Sequence, residues 1–164
     1  MSSAGQQPPD AATPSVANAG VVRPPVVVLA SLLLGAALTV VWPFPFVPPG
    51  LHLIGAVPIA MAAALFAYAI SQFRTAGTPV PGHQPTAAIV RTGPYRFSRN
   101  PIYVAFFTFQ LGTAIVVNSV WLVATLIATV ATIAAVVVTR EERYLTERFG
   151  AEYLEYKTSV RRWL

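Results

Sequence analysis

The sequence predicts an all-α integral membrane protein with four transmembrane helices, the last two forming a hairpin, and a cap on the cytoplasmic side. Three observations carry this prediction. The chain is 55% hydrophobic and only 10% charged, against roughly 25% charged for an ordinary soluble domain. Its apolar residues come in long blocks, so lipid is the natural solvent for most of the chain. Its basic residues lie between and beyond those blocks rather than within them. A net charge of +5 would otherwise raise nucleic acid as a partner, but this placement makes the charge a topology signal and excludes that class. With 164 residues and no cysteine, the chain has the size of one domain and forms no disulfide, thiolate metal site or thiol nucleophile. His52 and His83 are far apart in sequence, and no metal site is expected.

Residues 1–24 are rich in Pro, Ala, Ser, Gln and Gly. Such a composition buries too little apolar surface to offset chain entropy, so a disordered tail is expected, with the folded domain over 25–164. Val26 to Val41 is the first apolar run. It is read as a retained helix rather than a signal peptide. The run begins late, lacks a basic leader, and meets bulky Trp42-Pro43-Phe44 where a cleavage site needs small residues. Leu51 to Phe73 is the second run, with Pro58 expected to kink it and Arg74 as a basic boundary. His52 is expected to cap its start.

Thr75 to Asn100 is the longest polar segment, punctuated by Pro79, Pro81, Gly82, Pro85 and Pro94. Within it, Ala87-Ala88-Ile89-Val90 is an apolar patch suited to an interface or a pocket wall. From Pro101 to Val138 the chain is apolar for 38 residues, too long for one crossing of a core of about 30 Å, which takes ~20. Asn118-Ser119 supplies the turn chemistry between. Helices are therefore expected over about 101–117 and 120–139, the first near the lower length limit for a full crossing. Phe106, Phe107 and Phe109 are expected to face lipid or pack, and Gly112 to allow close helix contact. From Thr139 a charged helical tail holds five of the six acids. Gly150 breaks it, and Tyr153, Tyr156 and Trp163 are suited to a membrane interface.

Bases fall at Arg23, at Arg74, Arg91, Arg96 and Arg99, and from Arg140 to Arg162, while the 42–50 and 118–119 loops carry none. The positive-inside rule puts both termini and the 74–100 loop in the cytoplasm. The expectation is a multi-pass protein of the cell inner membrane. No ionisable residue lies between the ends of any predicted span, which argues against transport.

One stretch stands apart: Gly93-Pro94-Tyr95-Arg96-Phe97-Ser98-Arg99-Asn100-Pro101-Ile102-Tyr103. Gly93-Pro94 signals a turn, and Pro101 suits the first residue of a helix. Polar, basic and aromatic side chains are thus held where a helix N-terminus meets a membrane surface, a place suited to a partly anionic ligand. A hairpin brings this stretch beside Arg140-Glu141-Glu142-Arg143, giving a composite site of Tyr95, Arg99, Asn100, Tyr103, Glu141 and Glu142. The bland alternative is a set of snorkelling anchors and a solvated, salt-bridged helix turn. A Glu pair at the cytoplasmic end of a membrane helix is disfavoured by the helix dipole and by anionic lipid, which counts against that alternative.

The same stretch, followed after the helix pair by Glu141-Glu142, Phe149-Gly150 and Tyr153-Leu154-Glu155-Tyr156, resembles the isoprenylcysteine carboxyl methyltransferase and phospholipid methyltransferase superfamily of membrane enzymes. Its signature is Arg-His-Pro-x-Tyr, a helix pair, then Glu-Glu, and the likeness covers about residues 87–163. The resemblance implies S-adenosylmethionine as methyl donor and a lipophilic acceptor in the bilayer. It makes Ile89, Val90, Tyr95, Asn100, Pro101, Ile102, Tyr103 and Glu141 cofactor-binding residues, with Glu141 opposite the cofactor's ammonium, and the composite site adds Arg99 and Glu142 to that set. Asn100 departs from the signature histidine; it keeps hydrogen-bonding capacity but does not titrate near neutral pH. Val137 stands where eukaryotic members place a substrate-binding arginine, which leaves the acceptor open. The expected function is methyl transfer, with carboxylate O-methylation of an isoprenylcysteine-like or other lipid-like substrate preferred to N-methylation of a phospholipid or other amine. A non-catalytic membrane scaffold is the alternative of another class.

Overall fold

The computed structural model describes residues 23–80 and 86–164. Nearly all of the expected N-terminal tail, and His83, lie outside the described residues. The described residues form helices and no strand, and the single bridged pair among them is Ser98 with Arg161. Among the described residues, three helical stretches are long and apolar enough to cross a membrane: Pro24–Val41, His52–Thr75 and Val120–Phe149. Pro101–Val117 is apolar but shorter.

Helix α1, Pro24–Val41, opens on the proline that its first turn tolerates. Before α2, Ala56–Thr75, a 3₁₀ turn runs over His52–Gly55. Two expectations change here. Pro58 falls in the first turn of α2, where its absent N–H leaves no bond unmade, rather than in the middle of the helix. His52 lies inside the 3₁₀ turn, and the residue ahead of that turn is Leu51, with no side-chain cap.

Helix α3, Pro101–Val117, ends at Asn118, whose φ of 53° and ψ of 53° are left-handed, a conformation asparagine tolerates better than most residues. Its amide also fastens the connection from α1: Oδ1 accepts from the Phe46 and Val47 N–H groups at 2.8 and 2.7 Å, and Nδ2 donates to the Val47 carbonyl at 2.9 Å. Ser119 then caps α4, Val120–Thr132, by accepting from the Leu122 N–H at 3.3 Å. The expected end near 139 is not observed. The helix passes through a π turn, Ile133–Val138, into α5, Thr139–Phe149, and Gly150 separates α5 from α6, Ala151–Ser159. Glu141 and Glu142 thus lie within a continuing helix, where the terminal-dipole argument lapses.

Helix α3 packs against both α2 and α4, and α1 packs chiefly on α4. Small residues set the closest approaches. A Cβ at Gly112 would lie 2.7 Å from Ile59 Cγ1 and 2.8 Å from the Gly55 carbonyl oxygen, so its expected packing role is observed. Between α1, α3 and α4, Ser31 donates to Gln110 Oε1 at 3.1 Å and Gln110 Nε2 donates to Thr125 at 3.3 Å, which satisfies a fully buried amide. Beyond the bundle, the 86–100 segment is laced to the C-terminal helices. Tyr144 accepts from the Thr86 N–H at 3.2 Å, Arg148 Nε donates to the Thr86 carbonyl at 2.6 Å, and Tyr156 donates to the Tyr95 carbonyl at 2.8 Å.

Candidate active site

Two adjoining cavities lie where this cap meets the ends of α2, α3 and the helix formed by α4 and α5. Phe73, Tyr95, Arg99, Asn100 and Glu141 line both. The first, about 70 Å³, adds Ile89, Val90, Glu142, Leu145, Tyr153 and Tyr156, among others; the second, also about 70 Å³, adds Val80, Ile102 and Tyr103. The structure therefore brings together every residue of the expected site except Pro101, which is buried as the first residue of α3 and lines neither cavity.

Each side chain is placed by a local cause. Gly93 takes a φ of 57°, and its Cβ would stand 2.8 Å from Gln72, so only glycine lets the chain turn so close to α2. The following 3₁₀ turn, Gly93–Arg96, drives Tyr95 inward, edge-on to Phe73 with ring centres 5.2 Å apart. The Tyr95 hydroxyl is buried and has no hydrogen-bond partner among the described residues. Burial, then Tyr156 and Glu141, push its ionisation well above the ordinary range, so it stays a neutral group able to donate or accept. Ile89 and Val90 supply an apolar wall.

The two adjacent glutamates have different surroundings, although both are 7% exposed. Glu141 accepts from the Tyr103 hydroxyl at 2.7 Å and faces both cavities. Glu142 is bound bidentately by Arg162, from Nε at 2.9 Å and Nη2 at 2.7 Å, with Arg99 Nη1 at 3.3 Å and Lys157 Nζ at 3.5 Å. It holds the C-terminal segment in place, and the bland picture of a solvated charged turn does not fit either residue. Asn100 Nδ2 donates to the Arg162 carbonyl at 2.9 Å, and the Arg99 N–H to the Arg161 carbonyl at 2.9 Å, so the same segment is tied to the start of α3.

Tyr153 and Tyr156 correct an expectation. Rather than lying at a membrane interface, they are 2% and 4% exposed and line the first cavity. Burial leads the causes that raise the ionisation of both. The available signal was their three-residue spacing, which puts them on one face of α6. Phe73, near the end of α2, and Leu145, within α5, gave no signal distinguishing them from ordinary packing residues. Among the described residues, no group of three or more His, Cys, Asp or Glu could hold a metal ion.

A family model described as phospholipid methyltransferase matches residues 51–152, more than half of the chain and all of α2 to α5. The chain belongs to this family of methyltransferases. It is also similar to the protein-S-isoprenylcysteine O-methyltransferase of Saccharomyces cerevisiae, with 36% identity over 72 residues, or 44% of this chain and 30% of the yeast protein. The aligned part thus spans less than a third of that relative's length. Such a family implies a methyl donor, and the residues at the cavities fit one with a cationic amine and a polar, partly apolar body: a carboxylate at Glu141, an orphaned hydroxyl at Tyr95, and apolar Ile89 and Val90.

Proposed function

We propose that this protein transfers a methyl group from S-adenosylmethionine to a lipophilic acceptor, with carboxylate O-methylation as the reaction. The observation that carries this reading is Glu141. It is a buried carboxylate, oriented by Tyr103 and facing two cavities that also hold the unpartnered Tyr95 hydroxyl. In this reading Glu141 pairs with the ammonium of S-adenosylmethionine, Tyr95 bonds a polar group of the same ligand, and Ile89 and Val90 lie against its apolar surface. Arg99, Asn100, Pro101, Ile102, Tyr103 and Glu142 complete the binding set, Pro101 by starting α3 at the right place. When bound, S-adenosylmethionine supplies a methyl group already activated on a sulfonium centre. The chain's own work is then positioning and exclusion of water, which can provide ~7–11 kcal/mol of the barrier.

The lipophilic acceptor is supported by an apolar groove of about 290 Å³ between α1, α2 and α3, lined by Val28, Leu32, Phe66, Phe106 and Phe109 among others. Phe106 is also 6.4 Å, centre to centre, from the Tyr103 ring, which links the groove to the site. The preference for a carboxylate rests on protons. A carboxylate acceptor needs no base, whereas an ammonium must first be deprotonated. Asn100 does not titrate near neutrality and Tyr95 stays neutral. N-methylation of a phospholipid is the second reading, favoured by the description of the matching family. We place four helices in the inner membrane, α3 included, with α3 and α4 as a hairpin and the cap and both termini cytoplasmic, because the bases cluster on that side.

The test is to incubate membranes containing the protein with methyl-labelled S-adenosylmethionine, extract lipids, and treat them with mild base. A methyl ester releases the label as methanol; a methylated amine retains it. Base-labile label is expected. Base-stable label would establish the amine reading, and no transferred label would favour the scaffold alternative.

A further inference from the structure

Arg99 brings a buried guanidinium with unbonded donors into the site. Its side chain is 9% exposed, it lines both cavities, and its Nε and Nη1 make no hydrogen bond. Among the described residues, Glu142 Oε1 lies 3.3 Å from its Nη1. That carboxylate is already spent: Arg162 binds both of its oxygens, and Lys157 lies 3.5 Å from Oε2. Three cations therefore share one carboxylate. A buried guanidinium left with free donors is strongly disfavoured unless an anion completes it, and its planar fork suits a carboxylate.

Beside this guanidinium stands Glu141, whose carboxylate faces the same two cavities. The site thus offers an anion and a cation side by side. An α-amino acid carries its ammonium and carboxylate on a single carbon, so a ligand whose ammonium reaches Glu141 must set its carboxylate close by. We propose that Arg99 binds the carboxylate of the methyl donor's amino-acid moiety, completing with Glu141 a two-pronged grip on a zwitterion; this rests on the methyl-transfer reading above. Glu142 is then a positioning residue, which holds the guanidinium between the start of α3 and the C-terminal segment. An anionic group on the acceptor is the rival occupant, but it has no need of an ammonium site alongside.

The experiment compares S-adenosylmethionine with its decarboxylated analogue, which keeps the sulfonium and the amine, by calorimetry on the detergent-purified protein without acceptor. Wild type should bind the analogue about tenfold to a hundredfold more weakly. Arg99→Gln should weaken S-adenosylmethionine by a similar factor while leaving the analogue unchanged. Arg99→Lys keeps the pairing with Glu142 and guards against misfolding; it should fall between the two. Wild type that binds both ligands equally, or variants that weaken both ligands alike, would overturn the Arg99 assignment and leave the donor itself intact. Wild type that binds neither ligand would overturn the donor reading, and this assignment with it.

Discussion

Asn100 occupies the one position where the motif departs from the expected histidine, and the structure supplies a physical reason why either residue can serve. Its Nδ2 donates to the Arg162 carbonyl at 2.9 Å, and a histidine ring N–H can make the same kind of bond. Asn100→Ala removes the shorter of two bonds to that carbonyl and leaves it only Ser98 Oγ at 3.4 Å, at a cost of ~1 kcal/mol, so donor affinity should fall roughly fivefold as the C-terminal segment loosens. Asn100→His should stay near the wild-type affinity. Calorimetry of the two variants checks this: equal loss in both would show that the side chain contacts the ligand in a way only asparagine can satisfy. At this scale the polar residues of the site were legible because arginine, asparagine and glutamate are conspicuous beside an apolar run. Tyr153 and Tyr156 were misplaced because an amphipathic ring in a charged segment reads equally well as an interface anchor or as a pocket wall. Only the packing of α6 against Tyr95 and Arg91 separates the two.

The elements divide in the same way. Helices α1 and α3 matched the apolar blocks because a stretch that leaves water must satisfy its own backbone. Asn118-Ser119 was legible as a turn because its chemistry is local. The π turn at Ile133–Val138 was not. Its effect is to keep Ile133, Val137 and Val138 fully buried and to carry Glu141 and Glu142 on to the packed side, and no residue in an Ile-Ala-Ala-Val-Val-Val run marks such a widening. The tail from Thr139 was legible as helical but its continuity with α4 was not settled, since the change from apolar to charged composition there marks a change of solvent rather than a helix end. The contact between α2 and α3 gives a test at this scale. Gly112→Ala puts a methyl group 2.8 Å from the Gly55 carbonyl oxygen and 2.7 Å from Ile59, which should destabilise the protein by ~1–3 kcal/mol. A lowered thermal unfolding midpoint in detergent is expected. An unchanged midpoint would mean that the two helices part without cost.

For the molecule as a whole, the site exists because the cap closes over the ends of α2, α3 and α5. The cytoplasmic placement we propose for it rests on where the bases stand. The chain has no cysteine, so single cysteines report topology directly. Pro49→Cys and Ala76→Cys lie at exposed positions at opposite ends of α2. In intact cells an impermeant maleimide should label the first, and label the second only after lysis. The reverse pattern would move the site away from cytoplasmic S-adenosylmethionine. Thr86, in the same polar loop as Ala76, is buried and bonded to Tyr144, so it would report burial rather than sidedness.

The central claim is that Glu141 holds the amine of a methyl donor, and binding of S-adenosylhomocysteine to the purified protein tests it most directly. Wild type should show saturable binding by calorimetry. Glu141→Gln removes a charge-assisted bond of roughly 1.5–3 kcal/mol and should weaken binding about tenfold to a hundredfold, with little change in the stability of the ligand-free protein. No binding by wild type at millimolar ligand, or equal affinity in wild type and Glu141→Gln, would contradict it.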